Sequence, residues 1–127
     1  MFDGPGETGN TYCEGINGFG QIVGWYLDTD QGFVDDAESG DPGDPANFTL
    51  FDEPGSTYTD LWGINNNAEL SGNYDGGGFV YHDGVFTNFT IGINGTWARG
   101  LNDNMQVVGQ ALGQPPSASG FVLTPSF

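Results

Sequence analysis

Along this chain, β-branched and aromatic residues come in short runs that Gly, Asn, Asp or Pro interrupts every eight to twelve residues. No window places apolar side chains at the 3.6-residue period of a helix face, and 23 glycines with 7 prolines oppose one. The pattern predicts an all-β fold of short strands joined by tight turns.

The runs repeat. Gly15-Ile-Asn-Gly-Phe-Gly-Gln-Ile-Val-Gly24 returns as Gly63-Ile-Asn-Asn-Asn-Ala-Glu-Leu-Ser-Gly72 and as Gly100-Leu-Asn-Asp-Asn-Met-Gln-Val-Val-Gly109. A threonine stands four residues before each copy (Thr11, Thr59, Thr96), and Gly-Phe-Val follows each at Gly32, Gly78 and Gly120. A Phe-rich stretch closes the first two units, Phe48–Phe51 and Phe86–Phe89. The series predicts three four-stranded antiparallel units, approximately 7–54, 55–92 and 93–127. The Asn of each Gly-Ile-Asn step is expected to start a turn by bonding the backbone two residues on. Because Met1-Phe-Asp-Gly-Pro-Gly6 matches Phe51-Asp-Glu-Pro-Gly55, residues 1–6 are expected to supply the closing strand of the third unit. That strand would lie beside Phe121 and Phe127, with Met1 and Phe2 as assembly residues. It would act within the chain or in a neighbouring copy, closing a ring or propagating a fibre.

The motif Gly-Ile-Asn-x-x-x-Gln-Val-Val-Gly followed by Gly-Phe-Val resembles the HAF family of bacterial extracellular repeats, across nearly the whole chain. The resemblance implies an exported protein with β-propeller-like blades; it supplies no catalytic residues. Ser71, where the other copies have valine, and the acidic insert of the first unit depart from the pattern. Three four-stranded units also describe a β-trefoil, which remains the alternative.

Charge narrows the partners. Seventeen Asp and Glu face one cation, Arg99, for a net charge of −16. Nucleic acid and anionic membrane surfaces are thereby excluded as partners, since both need Lys and Arg. A cation, a neutral glycan, a basic protein or a second copy of the chain remains. No stretch approaches the length of a membrane span, and an exported form would have lost its leader. Cys13, the one cysteine, reads as a small buried apolar residue.

Candidate chemistry is sparse. The insert Leu27–Asp44 holds seven of the seventeen acids, and Asp28, Asp30, Asp35 and Asp36 could offer calcium its oxygen ligands, although their spacing does not fit a calcium-binding loop. A solvated acidic loop is the other reading. Trp25, Trp62 and Trp97, with Tyr12, Tyr58 and Tyr74, could stack a sugar or fill the core. Trp62 aligns with Glu14 and Arg99, so no identical pocket recurs. His82 falls at the tip of a hairpin, and no nucleophile or phosphate-loop motif is present, so a binding or assembling module is expected rather than an enzyme. Sequons occur at Asn47, Asn88 and Asn94. Arg99 is expected to be structural.

Overall fold

The computed structural model describes residues 1–7, 9–37, 41–75, 77–113 and 117–126. Eleven strands are assigned among them. The first sheet holds β1 (Thr11–Ile16), β2 (Gln21–Tyr26), β3 (Gln31–Asp36) and β4 (Phe48–Phe51). The second holds β5 (Thr59–Ile64), β6 (Leu70–Tyr74), β7 (Gly77–His82) and β8 (Val85–Phe89). The third holds β9 (Thr96–Leu101), β10 (Val107–Leu112) and β11 (Ala118–Leu123). Every ladder joins sequence neighbours in antiparallel register, so each sheet is a simple meander. The only helical element among the described residues is a 3₁₀ turn at Pro45–Asn47, and no helix is long and apolar enough to cross a membrane.

A β-trefoil would pair strands of different units into one barrel. Here every described ladder lies within a unit, which excludes that alternative. The third sheet has three strands, one fewer than expected, and β11 has no partner on its outer edge among the described residues.

The motif asparagines build the first hairpin of each sheet. Asn17 Oδ1 accepts from the amides of Phe19 and Gln21, Asn65 Oδ1 from those of Asn67 and Glu69, and Asn102 Oδ1 from those of Asn104 and Gln106. The bond two residues on is the one expected from sequence. Each side-chain amide also donates to the residue at the seventh motif place: Gln21, Glu69 or Gln106. The turn then needs a left-handed residue to rejoin the strand, supplied by Gly20 (φ 82), Ala68 (φ 57) and Met105 (φ 59). Only the first copy uses the residue type that adopts this backbone without strain.

Packing runs from sheet to sheet. Strand β5 lies against β1, β2 and β3, and β9 lies against β5, β6 and β7. Two cores result. Val23 of the first sheet meets Leu61, Ile64, Leu70 and Phe79 of the second; Val80 of the second meets Ala98, Met105 and Val107 of the third. Glycine permits the close approach: a Cβ on Gly15 would lie 2.8 Å from the Trp62 carbonyl oxygen, and one on Gly63 3.3 Å from that of Arg99. Asparagine spans the same gap, because Asn17 Nδ2 donates to the Asn65 carbonyl (3.0 Å) and Asn65 Nδ2 to the Asn102 carbonyl (3.0 Å).

The linkers between sheets are held by the repeated threonine. Thr59 Oγ1 accepts from the Glu53 amide and Thr96 Oγ1 from the Ile91 amide. Thr11 Oγ1 accepts in the same way from the Gly4 amide (2.9 Å). Residues 1–6 therefore form the leading linker of the first sheet and include no strand. Phe2 packs edge-on against Phe48, and one unit later Phe51 packs at a tilt against Phe86. The expected closure of the third sheet by Met1 and Phe2 of the same chain is thus replaced by docking on the first sheet. The Thr11 bond and the Phe48 contact hold the segment there.

Two substitutions test this account of the hairpins. Ala68→Gly relieves a left-handed alanine at an exposed position and should raise stability by about 0.5–1 kcal/mol in denaturant unfolding. Asn65→Ala leaves two backbone amides without their acceptor and removes the inter-sheet donor, and should cost about 3 kcal/mol, with Asn102→Ala, which lacks an onward bond, costing less.

Candidate functional site

The first strands of the three sheets each carry a bulge at the fourth place, where the register steps past Glu14, Trp62 and Arg99. A bulge re-aims the extra side chain, and the three form one cluster along the inner strands. The Arg99 guanidinium carbon sits 3.6 Å from the Trp62 ring centroid and 4.7 Å from that of Trp97. Burial lowers its pKa while Glu14 and Asp60 hold it up. Trp25 Nε1 donates to Glu14 Oε1 (3.0 Å), and the Trp25 ring stacks on Tyr12 at 4.5 Å and 8°. The structure thus gathers Trp62 and Trp97 on Arg99 and sets Trp25 beside them through Glu14. The lone cation is clasped between two indoles, a contact worth about 1–2 kcal/mol, and it ties β5 to β9. Sequence order holds no sign of this clasp, since it depends on bulges in two strands.

Trp97 also borders a cleft of about 330 Å³ whose lining includes Tyr58, Tyr74, Asp75 and Asn94. Asp75 is already engaged there, accepting from the Thr57 and Tyr58 amides, which lower its pKa.

The four candidate calcium ligands are not brought together. Asp28 and Asp30 lie in the β2–β3 turn, whereas Asp35 and Asp36 end β3, roughly 16 Å along an extended strand. Asp28 accepts from Asn10, and Asp36 accepts from Gln21 and is exposed. Asp35 and Asp36 point to opposite faces, one buried and one in solvent. Among the described residues no group of three or more His, Cys, Asp or Glu is arranged to hold a metal ion. Glu38 lies outside the described residues.

Asp35 is fully buried and neither carboxylate oxygen has a hydrogen-bond partner among the described residues. Burial foremost, then the charges of Asp36, Asp41 and Asp44, raises its pKa to about 6. Asp60 is raised to about 6 as well, by burial and by Asp30 and Glu14, against the pull of Arg99.

His82 ends β7 at a two-residue turn, Asp83-Gly84, with both residues left-handed. Its Nδ1 pairs with Glu69 and its Nε2 with Asp83. The sequon asparagines Asn47, Asn88 and Asn94 each donate a side-chain hydrogen bond, to Asp41, Glu53 and Gly113.

Residues on the outward faces of the two terminal sheets differ from their counterparts inside. Cys13 is exposed, contrary to expectation, whereas its equivalents Leu61 and Ala98 are fully buried by the preceding sheet. Ile16 is 66% exposed and its equivalent Ile64 is 6% exposed. On the third sheet, Val108 and Val122 are 46% and 69% exposed, against 0% for their equivalents Val23 and Val80. Phe121 is covered by Phe89 of the second sheet, and Phe127 lies outside the described residues.

Compared with known proteins, the chain matches no family model, no curated protein and no solved structure. The likeness to the HAF repeats therefore rests on the motif residues themselves.

The buried carboxyl gives a pH dependence with a defined sign. A folded-state pKa of about 6 against 3.8 for the free side chain means that the native state holds the proton more tightly. The Asp35 contribution should therefore fall as pH rises through that window and stay low above it. Asp35→Leu, which installs the residue found at the equivalent Leu123, should raise stability at pH 8 by about 1–3 kcal/mol. The gain should vanish below pH ~4, as followed by melting temperature across pH.

Proposed function

We propose that the chain is an extracellular structural or adhesive repeat module, built of propeller-like blades, that works by associating with its own kind. One observation carries this reading. Consecutive sheets meet through the same glycine, asparagine and aliphatic contacts, and on the outward faces of the first and third sheets the equivalents of contact residues, Cys13, Ile16, Val108 and Val122, are uncovered. Propellers hold four to eight blades, so the sheets of one chain fall short of a ring and those of two chains reach six. The motif likeness to exported HAF repeats supports an extracellular setting.

A net charge of −16 opposes association of like chains at low ionic strength, and salt shortens the reach of that repulsion. Light scattering should therefore give a native mass that is a multiple of the 13.4 kDa chain at 0.15–0.5 M salt, expected from the ~8 Å screening length, and a lower mass near 10 mM, where it is ~30 Å. A 13.4 kDa particle at every salt and protein concentration would overturn the reading.

The second reading is a glycan-binding module, favoured by the cleft that brings Trp97 together with Tyr58, Tyr74 and Asn94. Aromatic rings beside amide groups suit a neutral sugar, and the acidic surface disfavours an anionic one. Quenching or shift of tryptophan fluorescence by neutral oligosaccharides, lost in Trp97→Ala, would support it; no response across a glycan panel would remove it.

A further inference from the structure

We infer that the outward face of the third sheet docks on the outward face of the first sheet of a second copy, repeating the inter-sheet contact already made twice within the chain. The inference rests on the self-association proposed above and specifies which surfaces meet and in what register.

The established contact has a fixed set of parts, and most of them have a bare counterpart at the ends. Asn17 and Asn65 each donate to the carbonyl of the next motif asparagine; Asn102 is the next member and is exposed, its described side-chain donation going to Gln106 alone. Asn66 accepts from the Gly18 amide and Asp103 from the Asn66 amide; this one contact has no counterpart for the Asp103 amide, because the equivalent place on the first sheet is Gly18.

The glycines show the same thing. A Cβ on Gly15 or Gly63 would run into the backbone of the following sheet, whereas on Gly100 it would meet only Val108 of its own sheet. Farther out, a Cβ on Gly32 would lie 3.0 Å from Leu61 Cγ, and one on Gly78 would lie 3.3 Å from Ala98 Cβ. On the equivalent Gly120 it would meet nothing nearer than the Gly109 carbonyl oxygen at 3.9 Å. The third sheet thus keeps two glycines at positions where their counterparts make room for a neighbour, and no described residue fills the room. Glycine inside a strand forfeits stability through the freedom it loses on folding.

The first sheet carries the complementary half. Cys13 is the equivalent of Leu61 and Ala98, the side chains that seat on Gly32 and Gly78, so in a second copy Cys13 would seat on Gly120. The same register accounts for Phe2. Phe51 pairs with Gly32 and Phe89 with Gly78 at the ends of closing strands, and Phe2 is their equivalent, held by the same threonine-anchored linker. Phe2 and Cys13 of one copy therefore converge on Gly120 of another, where β11 has no outer partner among the described residues. Exposed Val108 and Val122 would meet the face bearing Ile16 and Ile22.

The register can be read chemically, because Cys13 is the one native thiol. The Cβ separation at the equivalent Gly78–Ala98 pair is near the ~3.8 Å of a disulfide, so Gly120→Cys should oxidise with Cys13 of a second copy. Mild oxidation above pH 8 offsets the thiol pKa, which partial burial and the charges of Asp35 and Glu14 raise. Expected are covalent dimers and higher species in most of the protein on a non-reducing gel. They should be absent when Cys13→Ser is combined with Gly120→Cys, and absent in Leu50→Cys, which places a thiol on the exposed outermost strand of the first sheet. The open space at Gly120 tolerates the side chain, and an unchanged melting curve of the reduced variant checks this. As a second measurement on a variant without added thiols, Val122→Asp should weaken association at least tenfold in light scattering. An oligomeric protein in which Cys13 and the thiol introduced at position 120 do not link, or link only within one chain, overturns this docking and leaves self-association standing. A wild-type chain that is monomeric at every concentration overturns both.

Discussion

One side chain organises each unit: the asparagine at the third place of the glycine-bounded motif. Its oxygen satisfies two amides of a hairpin too tight to satisfy them itself, and its nitrogen reaches the backbone of the neighbouring sheet. A carboxamide is the smallest group that accepts twice and donates twice in one plane. Neither aspartate, which lacks the donors, nor serine, which lacks the reach, could both shape the turn and register the next sheet. Local structure and inter-sheet order are thus set by the same atoms, and the flanking glycines exist to bring backbones close enough for those atoms to meet.

The fold divides into what sequence makes legible and what it does not. The asparagine turns, the Phe-rich closing strands and the Asp83-Gly84 hairpin follow directly from residue type and spacing, because each is a local matter. The leading segment departs from expectation for a physical reason. Its match to Phe51-Asp-Glu-Pro-Gly55 covers the last strand residue and then the linker, and what that match encodes is the route from one sheet to the next. Cys13 departs in a related way. Its place in the motif is a core place, but burial there is conferred by a preceding sheet, which the first unit does not have among the described residues.

The candidate site is less legible still. Trp62 and Trp97 are far apart in the chain and come together only because a bulge rotates Arg99 between them. The acids of the first insert suggest a metal through their density alone. A strand's length separates them, and alternation along β3 buries one while leaving its neighbour in water. Density of a residue type in sequence says little where the chain is extended, since extension disperses what a loop would collect.

The middle sheet differs from its neighbours in one respect that shapes the whole. Among the described residues it alone packs against another sheet on each side, with Leu61, Phe79 and Val80 all fully enclosed. In an array stabilised by nearest-neighbour contacts, such a unit is the last to open, so protection of amides against solvent exchange would decline outward from β6 and β7 toward both ends. Loss of order would then be a fraying that starts at the margins, and any partner that capped a margin would lengthen the lifetime of the entire array.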